Sequence, residues 1–284
     1  MTGIKSVSPV LLALTLGGCG TVATDNGPWE HIRVGNENGV PPFEYTDGQG
    51  SRTGLNIELI NAACAAIGSR CPIVETPYAT NIDALEGNKI DLILPMTDTE
   101  ARRQRVAFTG VLYPLQSQLV AAKHSGLIAT AQSLQGKRIG VLAGTVREAY
   151  ARARWEPQGV TILSYELNSQ LIRDLQAQRI DATLQDIVEI NFALLNTPQG
   201  QGYELTGQPL ADPMLGVGPS IAVRKNNPEL VALINCGLER VKQNGQYQAI
   251  VSRYLLVTPS SPNPIVLTPS PTDLPVCHFP KLQK

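Results

Sequence analysis

Thr97-Asp98-Thr99-Glu100, followed by Arg102, is the stretch in which residue types and spacing point most directly to chemistry. A threonine with a glutamate three residues later is a capping box: Thr97 caps, Glu100 reaches back, and the free amides of a helix N-terminus stand at the end of the apolar run 90–94. Such a terminus attracts anions. Arg102 lies in the first turns and can fold toward the same end, where it supplies a bidentate partner for a carboxylate. The device recurs in Gly144-Thr145-Val146-Arg147-Glu148, with Thr145 as cap and Glu148 as its partner. Two such termini converge on one anion if two lobes face each other, although a capping box alone is often purely structural. Asp186 ends a strand at 181–185, where it can take an ammonium or simply cap the helix that follows.

These groups need strands that end side by side. A short strand is expected at 32–35, and Leu55, Leu59, Ala62, Ala63 and Ile67 form the stripe of an amphipathic helix. A strand at 72–75, a helix at 81–86 and a strand at 90–94 continue the βαβ alternation. A second series repeats it: strand 138–142, a helix from Thr145, strand 160–163, helix 169–178 and strand 181–184. Segments 84–92 and 174–182 match in character, each a helix end, a polar turn, then Ile90-Asp91 or Ile180-Asp181 entering a buried strand. A strand at 220–223, an apolar helix through Leu230, Leu233, Ile234, Leu238 and Val241, and a helix at 246–255 complete the pattern. The tail 256–284 is dense in proline, which predicts an extended or disordered chain.

The chain has 284 residues, 43% hydrophobic and 17% charged, enough for two lobes with real cores. With 23 Lys and Arg against 24 acids and no basic stripe, nucleic acid is excluded as a partner. Lys5, the apolar run 7–16 and Leu16-Gly17-Gly18-Cys19 read as a secretory signal over 1–18, too short to span a bilayer. Leu-Gly-Gly-Cys also resembles the bacterial lipoprotein processing box, which makes Cys19 the lipidated first residue and two acyl chains a stable membrane anchor. Residues 19–30 then form a linker. If Cys19 carries lipid, four of the five cysteines remain. Cys64 and Cys71 flank a helix end and turn and can form a local disulfide, which leaves Cys236 with Cys277, or a loose tail carrying a free thiol. His31, His124 and His278 are scattered, against a zinc site.

Further motifs stand in order along the chain: Pro42-Phe43-Glu44, Gly54-Leu55-Asn56-Ile57-Glu58-Leu59, Ala107-Phe108-Thr109, Leu134-Gln135-Gly136-Lys137-Arg138-Ile139-Gly140-Val141 and Gln185-Asp186. With those above they resemble the periplasmic amino-acid-binding proteins of ABC importers, closest to the histidine and lysine/arginine/ornithine-binding branch, over residues 32–254. The resemblance implies an α/β, two-lobed periplasmic-binding-protein (type II) clamp, each lobe a mixed, mostly parallel sheet flanked by helices. Lobe 1 would comprise 31–115 and 217–255, and lobe 2 would comprise 116–216. It implies a monomer without cofactor that closes on a free L-amino acid or close derivative and delivers it to an importer's permease. By position, Arg102 with the backbone amides of Thr145 and Val146 would hold the carboxylate, and Asp186 with the Thr97 hydroxyl the ammonium. Glu37 and Tyr78 would face the ligand side chain, favouring a basic or polar one. The chain departs from the branch at Val40, where a stacking aromatic is common, and at Leu94 and Pro95, where small or hydroxyl residues are preferred. Pro95 lacks an N–H, and Val146 keeps only its backbone amide.

Two alternatives use the same fold. One is an enzyme similar to cyclohexadienyl dehydratase, with Glu37 or Asp186 as general acid, yet no nucleophile elbow or metal-ligand spacing accompanies them. The other is a ligand-sensing receptor lipoprotein.

Overall fold

Two five-stranded sheets organise residues 29–255, the part of the chain that the computed structural model describes. The expected signal segment, Cys19, nearly all of the 19–30 linker, and the tail with Cys277 lie outside the described residues. In chain order the strands are β1 (Val34–Asn36), β2 (Tyr45–Thr46), β3 (Arg52–Thr53), β4 (Ile73–Glu75), β5 (Leu92–Thr97), β6 (Val106–Phe108), β7 (Ser117–Ala122), β8 (Arg138–Leu142), β9 (Thr161–Tyr165), β10 (Ala182–Asp186), β11 (Tyr203–Leu210) and β12 (Pro219–Arg224). The helices are α1 (Leu55–Ile67), α2 (Asn81–Glu86), α3 (Glu100–Arg103), α4 (Ala131–Leu134), α5 (Val146–Arg154), α6 (Asn168–Gln176), α7 (Ile187–Ile190), α8 (Pro228–Gln243) and α9 (Gln246–Leu255).

The first sheet has the order β4-β1-β5-β12-β6 and the second β11-β7-β10-β8-β9. In each, the strands joined through helices pair in parallel: β1 with β4 and β5, and β8 with β9 and β10. The returning strands β12 and β7 pair antiparallel on both sides, so the antiparallel share is larger than the sequence alternation suggested.

The internal repeat has a physical meaning. Asp91 sits at the entry to β5 and accepts from the Arg33 backbone N–H (2.9 Å), Nε (2.9 Å) and Nη2 (2.8 Å). Asp181 does the same for Arg138 ahead of β10, at 2.7, 3.1 and 2.9 Å. Burial opposes ionisation of Asp91, but Arg33 and Arg224 hold its carboxyl down to about 2. The preceding turns match as well: Asn88 and Gln178 both adopt φ 56°.

Helix α1 buries Leu55, Leu59, Ile60, Ala63 and Ile67 against Leu230, Ile234 and Leu238 of α8. Burying each such side chain contributes roughly 1.5–3 kcal/mol. The helices approach closely because Gly237 stands where a Cβ would lie 2.5 Å from the Ala63 carbonyl oxygen. Cys64 is bonded to Cys71, closing the turn after α1. Gly54 caps α1 at φ 118°, and a Cβ there would lie 2.3 Å from the Phe43 carbonyl oxygen. Gly54→Ala should therefore destabilise the protein by about 1–3 kcal/mol in urea denaturation. An unchanged midpoint would mean that the 42–44 segment yields freely.

The chain passes between the sheets twice, at 109–116 and 211–218, and the first passage is laced to the end of the second and to the β12 strand that follows it. Thr109 N–H donates to Ile221 O (2.9 Å), Leu112 N–H to Pro219 O (2.7 Å) and Leu115 N–H to Val217 O (3.1 Å). Among the described residues no helix is long and apolar enough to cross a membrane.

Candidate functional site

Between the two sheets lies a cleft that opens to solvent and encloses about 900 Å3 of space, open solvent included. Its walls come from strand ends and helix starts. Pro95, Met96 and Thr97 reach it from β5, Thr145, Val146 and Arg147 from the start of α5, and Asp186 and Glu189 from the β10–α7 junction. Glu37, Val40, Glu44 and Tyr78 close the first-sheet side.

Local structure sets each of these groups. Asp186 is the N-cap of α7, and its Oδ1 accepts from Val188 N–H (2.9 Å) and Glu189 N–H (3.0 Å). Its Oδ2 is buried and has no partner. Glu189 follows one turn later, only 4% exposed, with Oε1 accepting from Asn168 Nδ2 at 2.7 Å. Gln185 Nε2 donates in turn to Asn168 Oδ1 (3.1 Å) and steadies that amide. On the facing wall, buried Glu44 accepts from Asn56 Nδ2 (2.6 Å), while Asn56 Oδ1 accepts from the Tyr113 hydroxyl (2.5 Å). An amide at position 56 can serve both neighbours, whereas an acid could not donate to Glu44.

The cleft is acidic. Glu37, Glu44, Glu166, Asp186 and Glu189 line it, and Arg147 is the one cation among the described lining residues. Burial pushes Glu37 up to about 7, helped by Glu166 and Glu75. Burial also lifts Glu189 to about 7, with Arg147 opposing and Asp186 adding to the rise. Burial raises Asp186, and it carries Glu44 well above the usual carboxylate range. Among the described residues no cluster of His, Cys, Asp or Glu has an arrangement that could hold a metal ion.

The residues singled out in the sequence largely meet here. Thr97, Thr145, Val146, Asp186, Glu37, Tyr78, Val40 and Pro95 all line the cleft. Arg102 stands at its edge: Nη1 donates to Thr97 O and Nη2 to Gly144 O, each at 2.8 Å, with the guanidinium 5.8 Å from the Tyr78 ring centroid. It thus ties the two sheets together. Three of its five N–H donors remain.

One expectation is corrected. Thr97 does not cap a helix; it is the last residue of β5 and pairs with Pro219 of β12, which holds it extended. Thr99 is the cap, accepting from Arg102 N–H at 3.3 Å, and α3 has a single turn, so only α5 offers a substantial N-terminus. At α5, Thr145 Oγ1 accepts from Glu148 N–H (3.2 Å), while Glu148 Oε2 accepts from Gly144 N–H (2.7 Å). The sequence pattern did not single out Arg147, Glu166 or Glu189 as site residues. Glu189 lies three residues after Asp186 and Arg147 lies inside the second capping box, but neither position by itself marks a site residue.

A family model described as bacterial extracellular solute-binding proteins, family 3, matches residues 32–257. The histidine-binding periplasmic protein of Escherichia coli strain K12 is 37% identical over 227 residues, covering 79% of this chain and 87% of the relative. The lysine/arginine/ornithine-binding periplasmic protein of the same strain is 34% identical over the same shares. Among solved structures, an ancestral arginine-binding protein bound to arginine superposes with a TM-score of 0.73 at 29% identity, covering 79% of this chain and 98% of the other.

Proposed function

Because the chain belongs to the bacterial extracellular solute-binding proteins of family 3, we propose that it captures a free amino acid with a cationic side chain outside the cytoplasm and delivers it to an ABC importer. The observation that carries this reading is the acidic lining of the cleft, five carboxyl groups beside one guanidinium. The names of the relatives agree, since they are binding proteins for histidine and for lysine, arginine and ornithine. They are not enzymes. In this reading Asp186 and the Thr97 hydroxyl hold the ammonium, and Glu37 receives the side-chain cation beside Tyr78. The carboxylate meets the first-turn amides of α5 and the free donors of Arg102. Of those amides, the N–H groups of Val146 and Arg147 have no partners within the helix. Val40 and Pro95 shape the side-chain pocket without stacking on it. Export over 1–18, lipidation at Cys19, a monomeric clamp with lobes 31–115 plus 217–255 and 116–216, and pairing of Cys236 with Cys277 complete the proposal.

The test is a thermal-shift screen of the mature chain with arginine, lysine, ornithine, histidine, glutamate and leucine. A cationic ligand at a hundredfold excess over its dissociation constant should stabilise by about 2.7 kcal/mol, and glutamate and leucine should not. Arg102→Ala should weaken the best ligand about tenfold to a hundredfold, the range for a charge-assisted hydrogen bond. A largest shift with leucine or glutamate, or none with any ligand, would sink the reading.

A further inference from the structure

Cys236 stands on α8 at its seam with α1, remote from the cleft lining. It comes one residue before Gly237, which lets the Ala63 carbonyl approach, and one turn before Arg240, whose Nη1 donates to Ala66 O at 2.7 Å. Its sulfur is disulfide-bonded and the residue is only 8% exposed. Cys64 and Cys71 are bonded to each other, so the partner of Cys236 lies outside the described residues, where the sequence offers Cys19 and Cys277. In the reading above Cys19 is the lipid-bearing first residue, which leaves Cys277. The seam beside Cys236 is shallow and apolar. Ala62, Ala65 and Ala66 line its α1 side with methyl groups only, and Ala62 and Leu233 pack half-buried on the core beneath.

The tail has the reach and the side chains for that seam. It departs from Leu255 at the end of α9, which packs against α1 and α8. In polyproline II form residues 256–277 span roughly 70 Å at about 3.1 Å per residue, ample to return to α8. Seven prolines in 256–284 restrict the chain beforehand, so seating it costs less entropy. Asp273 is the only acid, Lys or Arg between 256 and 280, and Leu274-Pro275-Val276-Cys277-His278-Phe279 brings apolar residues to both sides of the cysteine. We propose that the α1–α8 seam is the docking surface for the chain's own residues 274–279, fastened there by Cys277 on Cys236. Both attachments of this strap, Leu255 and Cys236, belong to the half built on the first sheet, so it leaves the cleft free to open and close. It secures α9, whose Tyr247 hydroxyl donates to Leu112 O (2.6 Å) on the passage between the sheets. The inference rests on the Cys236–Cys277 pairing proposed above and adds to it the seat and its role.

The experiment uses the full mature protein and begins with a peptide map under non-reducing conditions, which should show Cys236 joined to Cys277 within one chain. Cys236 joined to Cys19 or to a second copy, or carrying a thiol, would sink both the pairing and the strap. Two variants then separate the bond from the seat. Cys277→Ser should raise the unfolded fraction on the order of a hundredfold in urea denaturation, as expected for opening a long disulfide-closed loop. Leu274→Ser combined with Val276→Ser keeps the bond and removes the apolar contacts. In alanine-methyl NMR both variants should shift the Ala62, Ala65 and Ala66 signals, and the double variant should make the tail more sensitive to elastase. Alanine signals that stay in place in the double variant, with the bond intact, would make the tail a loose tether and overturn the seat while the pairing stands. Unchanged urea stability in Cys277→Ser would overturn the role assigned to the strap.

Discussion

Asp186→Asn should remove most of the protein's affinity for its amino acid while leaving the empty fold at least as stable as before. Asp186 has two roles carried by two different oxygens. Oδ1 accepts from Val188 and Glu189 at the start of α7, and an asparagine carbonyl can keep both bonds. Oδ2 is buried and has no hydrogen-bond partner, and burial raises the carboxyl pKa even though the Arg147 charge and the two N–H bonds to Oδ1 oppose the rise. Substitution removes that penalty and leaves the cap. The ligand meets a different change, because an amide donor now faces an ammonium donor and the charge is gone. Loss of one partner from a buried charge pair typically costs 2–5 kcal/mol, or roughly thirtyfold to several thousandfold in affinity. Calorimetry and melting curves on the same variant separate the two effects. Affinity within threefold of wild type would remove Asp186 from the ammonium site.

The second large effect is pH dependence. Glu37 and Glu189 are both pushed up to about 7, chiefly by burial. Their folded pKa exceeds the unfolded value, so the stability they contribute is fully present below about 4.5 and is lost as pH rises through about 7. For buried Glu189 that loss is on the order of 3 kcal/mol, and for half-buried Glu37 it is less. The melting temperature of the empty protein should therefore fall between pH 4.5 and 8. A cationic ligand reverses the balance, because it stabilises the ionised carboxylates and expels their protons. Affinity should rise with pH across this window, flatten above about 7, and release protons measurable by calorimetry in buffers of different ionisation heat. Asp91, held down to about 2, titrates well below this range and does not blur it. Affinity independent of pH from 5 to 8 would exclude both carboxylates from ligand binding.

Where hydrophobic period and caps agreed, the sequence was a good guide: α1, α2 and α9 fall on their expected spans, and β8 matches residue for residue. β7 and β11 carried weaker signals. β7 is buried along nearly all its length, so it has no polar alternation, and β11 contains Gly207 and Pro209, which read as breakers although an edge strand tolerates them. The shift of the cap from Thr97 to Thr99 arose from tertiary pairing. Either threonine could have started a helix, and the β5–β12 ladder decided which. Asp186 was legible because strand ends define where ligands sit. Glu189 and Arg147 became legible only once α7 and α5 were seen to turn them into one cavity. A lone glutamate or arginine in a helix is ordinarily solvated, and no local pattern distinguishes these two.

The laced passages at 109–116 and 211–218 bear on how such a protein changes its diet. Everything between them is one unbroken stretch whose ends lie side by side, and it carries Arg147, Glu166, Asp186 and Glu189 together. Glu37, Glu44 and Tyr78 belong to the remainder. A single recombination event that exchanged the enclosed stretch would graft that whole wall of the cleft, Asp186 included, onto a foreign scaffold without rethreading the chain. The recipient would keep its own side-chain pocket. The two walls of the cleft are thus separately heritable, and a lineage can alter its ligand by trading one piece while the other stays as it was.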